Sequence, residues 1–177
     1  MKEFSFSTRI FFGKGSMERL HKVHDKRVMI VTDAFMEKSG VAHRVAAYLK
    51  DCEVTIFSGV VPDPPIEVVA AGVECFQQCM PEVMIAVGGG SVIDATKAIA
   101  LLATNPGESI LPYLSYEASC EAAAAPLGVV LTIAATGSEC DASFVISNAE
   151  TQDKILFTED STLPRFAVCD PTQTYSV

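Results

Sequence analysis

Short apolar runs alternate with amphipathic stretches along most of the chain, and this alternation predicts strands separated by helices. Most of the apolar runs are rich in Val, Ile and Leu, which is typical of strands buried on both faces of a parallel sheet. The predicted strands cover residues 27–32, 53–58, 83–87, 127–133, 143–147 and 166–169. Apolar residues at helical spacing predict helices that include residues 41–49, 66–80 and 92–103.

This order of elements predicts an α/β fold, with a Rossmann-like, mostly parallel sheet and flanking helices, formed by one domain over residues 1–177. Residues 4–12 alternate between apolar and polar positions before Gly13-Lys14-Gly15, so they predict an N-terminal β-hairpin or an edge strand. Residues 105–126 contain glycine, proline and a run of alanines, and they predict an irregular segment.

Charge and hydropathy narrow the classes of partner. The chain carries 13 basic and 22 acidic residues, a net charge of −9, and no basic cluster stands out along the sequence. This balance argues against binding to nucleic acid or to an anionic membrane. No apolar run is long enough to span a bilayer, and the first nine residues lack the apolar core of an export signal, so we expect a cytoplasmic protein.

The six cysteines contain no Cys-x-x-Cys pair, which is typical of a reducing compartment. Cys75 and Cys79 are four residues apart, so one helical face can carry both of them. They could form a metal or redox pair, but the interpretation that we favour is two small buried hydrophobic residues.

The loop Gly88-Gly-Gly-Ser91 lies between a predicted strand and a predicted helix. Glycines allow the backbone to approach a ligand closely, and the free N–H groups and dipole of a helix start favour an anion such as pyrophosphate. Ser91 could add a hydroxyl donor and cap the helix. Without further support the loop could also be a tight turn, because it matches neither Gly-x-Gly-x-x-Gly nor the Walker A pattern.

Two charged residues follow this loop. Asp94 and Lys97 complete the pattern Gly-Gly-Gly-Ser-x-x-Asp-x-x-Lys on the first turns of the predicted helix. We expect Asp94 near the end of the helix that faces the nucleotide. The alternative for the two residues is an ion pair on the protein surface.

Two further positions at strand ends predict contacts with a nucleotide. The segment from Thr132 to Glu139 follows a buried strand and is rich in small residues and hydroxyls, which suits close contact at the carboxyl edge of an α/β sheet. Asp33 ends another strand, where a carboxylate could bind the adenosine ribose and favour NAD over NADP. The alternative for the segment from Thr132 to Glu139 is a structural loop. The alternative for Asp33 is the N-cap of the helix that follows.

Four motifs together resemble the iron-containing (group III) alcohol dehydrogenases. They are the stretch from Gly88 to Lys97, the sequence Val-Val-Pro-Asp-Pro at 60–64, Thr136-Gly-Ser-Glu139, and Asp170-Pro171. The resemblance covers the chain from about residue 4 to its end. The first hundred residues look most like propanol dehydrogenases, and the part from about Leu127 looks more like butanol dehydrogenases.

The resemblance implies an N-terminal α/β domain that binds NAD(P) and a C-terminal helical domain that carries the metal. It places the pyrophosphate on Gly89, Gly90 and Ser91, and it places Asp94 beside the nicotinamide. The other implied nucleotide contacts are Thr132 and Thr136, with Ser143 and Lys154 near them, and Asp33 and Asp63 toward the adenosine end. One departure puts part of this in doubt: where many members have Pro-Thr-Thr-Ala-Gly, this chain has Leu131-Thr-Ile-Ala-Ala135.

The metal ligands of the family, an aspartate and three histidines, would lie beyond Asp170-Pro171, and the sequence ends at Val177. His21, His24 and His43 do not match them, so we expect neither bound Fe²⁺ or Zn²⁺ nor a catalytic residue in this chain. We also expect the C-terminal helical metal domain of the family to be absent.

The resulting hypothesis is the cofactor-binding half of an oxidoreductase that transfers hydride between NAD(H) and a short-chain alcohol or aldehyde, inactive alone. A stand-alone nucleotide-binding or assembly module is the alternative. The N-terminal strand could pair two copies into a homodimer, and the resemblance to propanol dehydrogenases also allows a bacterial microcompartment.

Overall fold

Six parallel strands form the central sheet of the computed structural model, which describes residues 7–105, 107 and 109–175. The strands of this sheet are Arg9–Phe12 (β1), Arg27–Asp33 (β2), Glu53–Val60 (β3), Val83–Gly88 (β4), Leu127–Leu131 (β5) and Phe166–Cys169 (β8). Their order across the sheet is β1-β8-β5-β4-β2-β3, and every neighbouring pair is parallel. Ser143–Asn148 (β6) and Asp153–Thr158 (β7) form a separate antiparallel pair.

Helices cover both faces of the sheet. They are Ala34–Lys38 (α1), Val41–Tyr48 (α2), Ile66–Cys79 (α3), Gly90–Leu102 (α4) and Leu111–Leu114 (α5), together with a 3₁₀ helix over Ser16–Lys22. Alternate strand residues point to opposite faces: Met29 and Val31 pack with α3 and α4, whereas Val28 and Ile30 pack with α2 and the 3₁₀ helix. Both faces are therefore buried, which explains the continuous apolar runs in the sequence.

The six predicted strands and the fold class are confirmed, with strand ends that differ from the predictions by a few residues. Arg9–Phe12 pairs in parallel with β8 at the sheet edge, so the edge-strand alternative holds over these residues. The earlier part of that prediction, residues 4–6, lies outside the described residues. Among the elements that the sequence pattern missed are β7 and the short helix α5, which lies inside the segment predicted to be irregular.

The connections between strands place one crevice at the carboxyl edge of the sheet. From β2 the chain crosses to β3 on one side, and then β4 returns to the other side of β2. Ligands of open α/β sheets bind at such a switch point, outside the carboxyl ends of the strands. Asp33 ends β2 and the glycine loop follows β4, so both predicted elements flank this crevice.

Two further predictions concern hydropathy and thiols. Within the described ranges, no helix combines the length and the apolar character needed to cross a bilayer. Cys75 and Cys79 both lie on α3 and pack against the core, as the hydrophobic interpretation of the pair predicts. All six cysteines are free thiols.

Asp170 ties the end of β8 to the start of the 3₁₀ helix. Its buried carboxylate accepts hydrogen bonds from the N–H of Gly15 at 2.7 Å and from the N–H and hydroxyl of Thr172 at 3.0 and 2.8 Å. Burial acts to raise the pKa of Asp170, but these hydrogen bonds outweigh it and the pKa is lowered. The 3₁₀ helix is capped by Gly15, and the Ser16 hydroxyl is buried with no hydrogen-bond partner in the described part of the chain.

We expect Asp170→Asn to cost about 1–3 kcal/mol of the free energy of unfolding at neutral pH, because buried N–H groups lose a charged acceptor. The folded pKa of Asp170 is lowered, so its carboxylate stabilises the fold above its unfolded pKa, and this contribution is lost as the pH falls through the folded pKa. The difference between wild type and Asp170→Asn in urea unfolding should therefore shrink as the pH is lowered toward the folded pKa. The exposed Asp51→Asn is the control, and a difference that does not change with pH would contradict the assignment.

Candidate functional site

The glycine loop forms a tight connection between β4 and α4. Gly88 ends β4, Gly89 is the N-cap, and the carbonyl oxygen of Gly89 accepts the N–H groups of Val92 and Ile93, both at 3.1 Å. A Cβ at Gly88 would lie 2.6 Å from the side chain of Val92. Glycine is therefore needed at Gly88 because the turn brings the side chain of Val92 too close for a Cβ at this position.

Gly90 differs from its neighbours because its surroundings are open. A Cβ at Gly89 would clash with the side chain of Ile133, whereas a Cβ at Gly90 would have no atom within 4 Å. Gly90 is the first residue of the 13-residue helix α4, so its N–H and that of Ser91 belong to the first turn, where no helical acceptor exists. The positive end of the helix dipole therefore lies beside a residue whose side-chain position is open.

Ser91 does not have the capping role predicted for it. The helix begins at Gly90 with Gly89 as its cap, so Ser91 is the second residue of α4. Its side chain is half-buried in the first turn. The hydroxyl remains a predicted donor to a phosphate.

The loop after β5 lies beside the glycine loop. The N–H of Thr132 donates to the carbonyl oxygen of Gly88 at 3.1 Å, and the Thr132 side chain is buried. Further along this loop, the exposed Thr136 places its hydroxyl 3.3 Å from that of Ser138, next to Gly137 at φ +93°. The structure therefore brings both predicted loops together at the carboxyl edge.

Lys97 is fully buried, which excludes the surface ion pair considered for it. Its ammonium donates to Asp141 Oδ1 at 2.8 Å and to the carbonyl oxygen of Ser143 at 2.7 Å. Asp141 Oδ1 also accepts the N–H of Ser143 at 2.9 Å. Burial lowers the pKa of Lys97, and the Asp141 carboxylate opposes this. Lys97 thus holds the start of β6 against α4.

Asp94 makes the second contact between α4 and β6. Its Oδ2 accepts the N–H of Val145 at 3.0 Å, whereas Oδ1 is buried and has no hydrogen-bond partner among the described residues. Burial raises the pKa of Asp94, although the Val145 N–H, the Lys97 charge and the nearby Ser138 hydroxyl lower it in part. A buried carboxylate oxygen without a donor is unfavourable. A ligand that donates a hydrogen bond here would remove that cost.

Asp33 is the N-cap of α1, the alternative that the sequence left open. Its Oδ1 accepts the N–H of Met36 at 2.8 Å. The carboxylate is half-buried at the end of β2, beside the crevice. The ribose contact predicted for Asp33 remains a prediction.

The remaining predicted residues lie on the β6–β7 pair and the loop before α3. Lys154 forms an ion pair with Asp63 at 2.7 Å, in which both side chains are exposed. The hydroxyl of Ser143 is 2.9 Å from that of Thr158 on the opposite strand, so it is engaged within the pair. A backbone hydrogen bond of 3.0 Å from Ser147 to Pro64 joins the β6–β7 pair to the loop that carries Asp63.

A metal site has no fitting donor set in residues 7–105, 107 and 109–175, where no group of three or more His, Cys, Asp or Glu side chains could hold an ion. His21 Nδ1 is 2.7 Å from the carbonyl oxygen of Tyr48, and His24 pairs with Asp25 on the surface. His43 lies on α2.

An all-parallel sheet with a glycine loop at its switch point defines a Rossmann-like α/β protein. The profile of the iron-containing alcohol dehydrogenases matches residues 7–171. The chain therefore belongs to the iron-containing alcohol dehydrogenase family, as the four motifs indicate.

Three relatives illustrate the range of the family. The chain is 40% identical to the NADPH-dependent aldehyde reductase YqhD of Escherichia coli (strain K12), over 96% of this chain and 45% of that protein. It is 35% identical to the NADH-dependent butanol dehydrogenase A of Clostridium acetobutylicum, over 99% of this chain and 46% of that protein. The structure of sulfoacetaldehyde reductase from Bifidobacterium kashiwanohense in complex with NAD⁺ is similar, with a TM-score of 0.90, 29% identity, and coverage of 100% of this chain and 48% of that one. The chain thus spans about half the length of these relatives.

The contact between Lys97 and Asp141 predicts an asymmetric effect on stability. Asp141→Ala leaves a fully buried ammonium without its carboxylate, so we expect a loss of about 3 kcal/mol or more. Lys97→Met leaves Asp141, which is 45% exposed, in contact with water, so we expect a loss of only about 1–3 kcal/mol. Urea unfolding of both variants measures the difference.

The pH dependence separates these variants further. A buried lysine whose folded pKa is lowered gains stability as the pH rises from its folded toward its unfolded pKa. Asp141→Ala lowers the pKa of Lys97 further, so this variant should recover stability at alkaline pH, and Lys97→Met should not. Lys154→Met, which removes an exposed ion pair, is the control and should cost under about 1 kcal/mol. Equal losses in both variants with no alkaline recovery would contradict this assignment.

Proposed function

We propose that the chain binds NAD(H) at the carboxyl edge of its sheet, as the cofactor-binding half of an oxidoreductase that acts on a short-chain alcohol or aldehyde. The observation that carries the proposal is the open space at Gly90, the first residue of α4, where a Cβ would meet no atom within 4 Å. The relatives that share the family act on alcohols or aldehydes with NADH or NADPH, which supports the substrate class.

The pyrophosphate fits the first turn of α4. The N–H groups of Gly89, Gly90 and Ser91 are the donors in this proposal, and the helix dipole favours the negative charge. Thr132 and Thr136 line the same crevice from the loop after β5. Together they orient the dinucleotide along the carboxyl edge.

The two ends of the dinucleotide would lie on opposite sides of this loop. In the proposal the nicotinamide end lies toward Asp94, whose buried Oδ1 needs a donor. The adenosine end lies toward Asp33 and Asp63, and Asp63 is ion-paired with Lys154. In the proposal Ser143 and Lys154, on the β6–β7 pair, lie near the part of the nucleotide that Thr132 and Thr136 line.

The chemical step needs groups beyond those that the structure describes. The described residues bind and orient a cofactor, but they include no donor set for a metal and so no Lewis acid for a substrate oxygen. We therefore expect this chain to bind NADH without turning over an alcohol. The free thiols of the chain support a cytoplasmic location in this proposal.

A homodimer through β1 is also part of the proposal. This strand forms one edge of the sheet, and Ile10 and Phe12 expose 42% and 80% of their surface there. An exposed strand edge favours pairing with a second copy.

Gly90→Ala tests the proposed pyrophosphate site. The methyl group meets no protein atom, so the variant should keep or slightly gain stability. It enters the space assigned to the phosphates, so the affinity for NADH in isothermal titration calorimetry should fall by at least about tenfold. The matched control is Gly72→Ala on α3, where the new Cβ clashes with Ile99. That control should lose stability and keep its affinity for NADH.

Three outcomes would count against the proposal. Failure of the wild-type chain to bind NADH removes the nucleotide function and leaves an assembly role. Unchanged affinity of Gly90→Ala for NADH would mean that the nucleotide does not bind at the glycine loop. Formation of NADH from NAD⁺ and 1-propanol with added Fe²⁺ or Zn²⁺ contradicts the expectation that the chain lacks turnover.

Asp33→Ser tests the preference for NAD over NADP. The serine hydroxyl can still accept the N–H of Met36, so the helix cap is kept while the negative charge is removed. We expect the ratio of NADPH to NADH affinity to rise by about tenfold, because the carboxylate no longer repels a 2′-phosphate. Glu37→Gln, the same charge change on the same helix, should leave that ratio unchanged. An unchanged ratio in Asp33→Ser would exclude Asp33 as the determinant.

A further inference from the structure

Basic side chains from three separate parts of the sequence meet at the amino edge of the sheet, the edge opposite the glycine loop. Arg9 is the first residue of β1, and Arg165 directly precedes β8. The two are adjacent because the N–H of Arg9 donates to the carbonyl oxygen of Arg165 at 3.2 Å. Arg19 and Lys22 come from the 3₁₀ helix.

These four side chains line a cavity of about 660 Å³. Its volume lies within the range of about 300–1,000 Å³ that is typical of small-molecule sites. The rest of the lining is mostly apolar, and the guanidinium of Arg19 lies 5.4 Å from the centroid of the Phe11 ring. The apolar lining residues are Phe11, Val23, Leu163, Pro164 and Phe166.

The charge of this cavity contrasts with that of the chain. Four basic residues and one acidic residue, Asp160, line it, whereas the whole chain has a net charge of −9. Over residues 7–105, 107 and 109–175, none of the four basic side chains forms an ion pair. Lys97 and Lys154, in contrast, both have a carboxylate partner. Several like charges around one cavity repel each other, and an anion between them would relieve that repulsion.

We propose that this cavity binds a small organic anion, with a phosphate or carboxylate group among the basic side chains and an apolar group against Phe11 and Phe166. The cavity lies at the amino ends of β1 and β8, and the proposed NAD(H) site lies at the carboxyl ends of β2, β4 and β5. The two sites therefore do not overlap, and the anion site does not depend on the proposed function.

An NMR titration of the ¹⁵N-labelled chain with phenyl phosphate tests the proposal. With excess NADH present to occupy the glycine loop, phenyl phosphate should shift the amide signals of residues 9–11, 19–23, 163, 165 and 166. Inorganic phosphate lacks the apolar group and benzyl alcohol lacks the charge, so each should bind at least about fivefold more weakly. Higher salt should weaken the binding of phenyl phosphate, because the basic side chains are exposed and salt screens their charge.

Two variants locate the site. Arg19→Gln and Lys22→Gln change exposed side chains, so both variants should fold. Each should lower the affinity for phenyl phosphate by about three- to tenfold. Lys50→Gln makes the same charge change on an exposed residue outside the cavity and should have no effect. Shifts that are absent or confined to residues 88–94 would overturn the proposal. Equal binding of phenyl phosphate by wild type and both cavity variants would overturn it as well, and neither result would bear on NADH binding.

Discussion

The burial of Lys97 constrains the whole carboxyl edge of the sheet. An ammonium group without water must have its charge matched and its protons accepted, so Asp141 and the carbonyl oxygen of Ser143 have to lie beside it. This requirement fixes the start of β6 and, with it, the end of the loop that begins at Thr132. The same helix starts at the glycine loop, so one element positions both loops.

Helix α4 is therefore buried along its length and open at one end. Ten of its thirteen residues are buried, whereas its first residue, Gly90, faces open space. A buried helix cannot shift easily, because neighbouring side chains fill the space around it. Its free N–H groups are thus held in fixed positions before any ligand arrives, which lowers the entropic cost of binding an anion there.

The sequence predicted the strands well because each central strand is buried on both faces and reads as an apolar run. It missed β7, in which Phe157 is the one buried side chain and the neighbouring apolar Leu156 is 61% exposed. It also left a surface ion pair open for Lys97, because the partner that makes the burial of Lys97 possible, Asp141, is 44 positions away in the sequence. The basic cavity was hidden for the same reason, since Arg9 and Arg165 come from opposite ends of the chain and meet only through the pairing of β1 with β8. The order of elements is thus visible in local pattern, whereas side-chain partners depend on the topology.

The net negative charge of the chain is compatible with an anionic cofactor. Repulsion from exposed carboxylates and hydrogen bonds from a helix start act over different distances. Exposed carboxylates are screened beyond about 8 Å at physiological ionic strength, so most of the net charge of −9 is not felt at the glycine loop. Hydrogen bonds from the first turn of α4 act at contact distance, where screening is weak. The residues predicted to contact the nucleotide lie at the carboxyl edge of the sheet, on the first turns of α4, or on the β6–β7 pair that Lys97 and Asp94 hold against α4. In the proposed function, local geometry at the first turn of α4 therefore decides cofactor affinity.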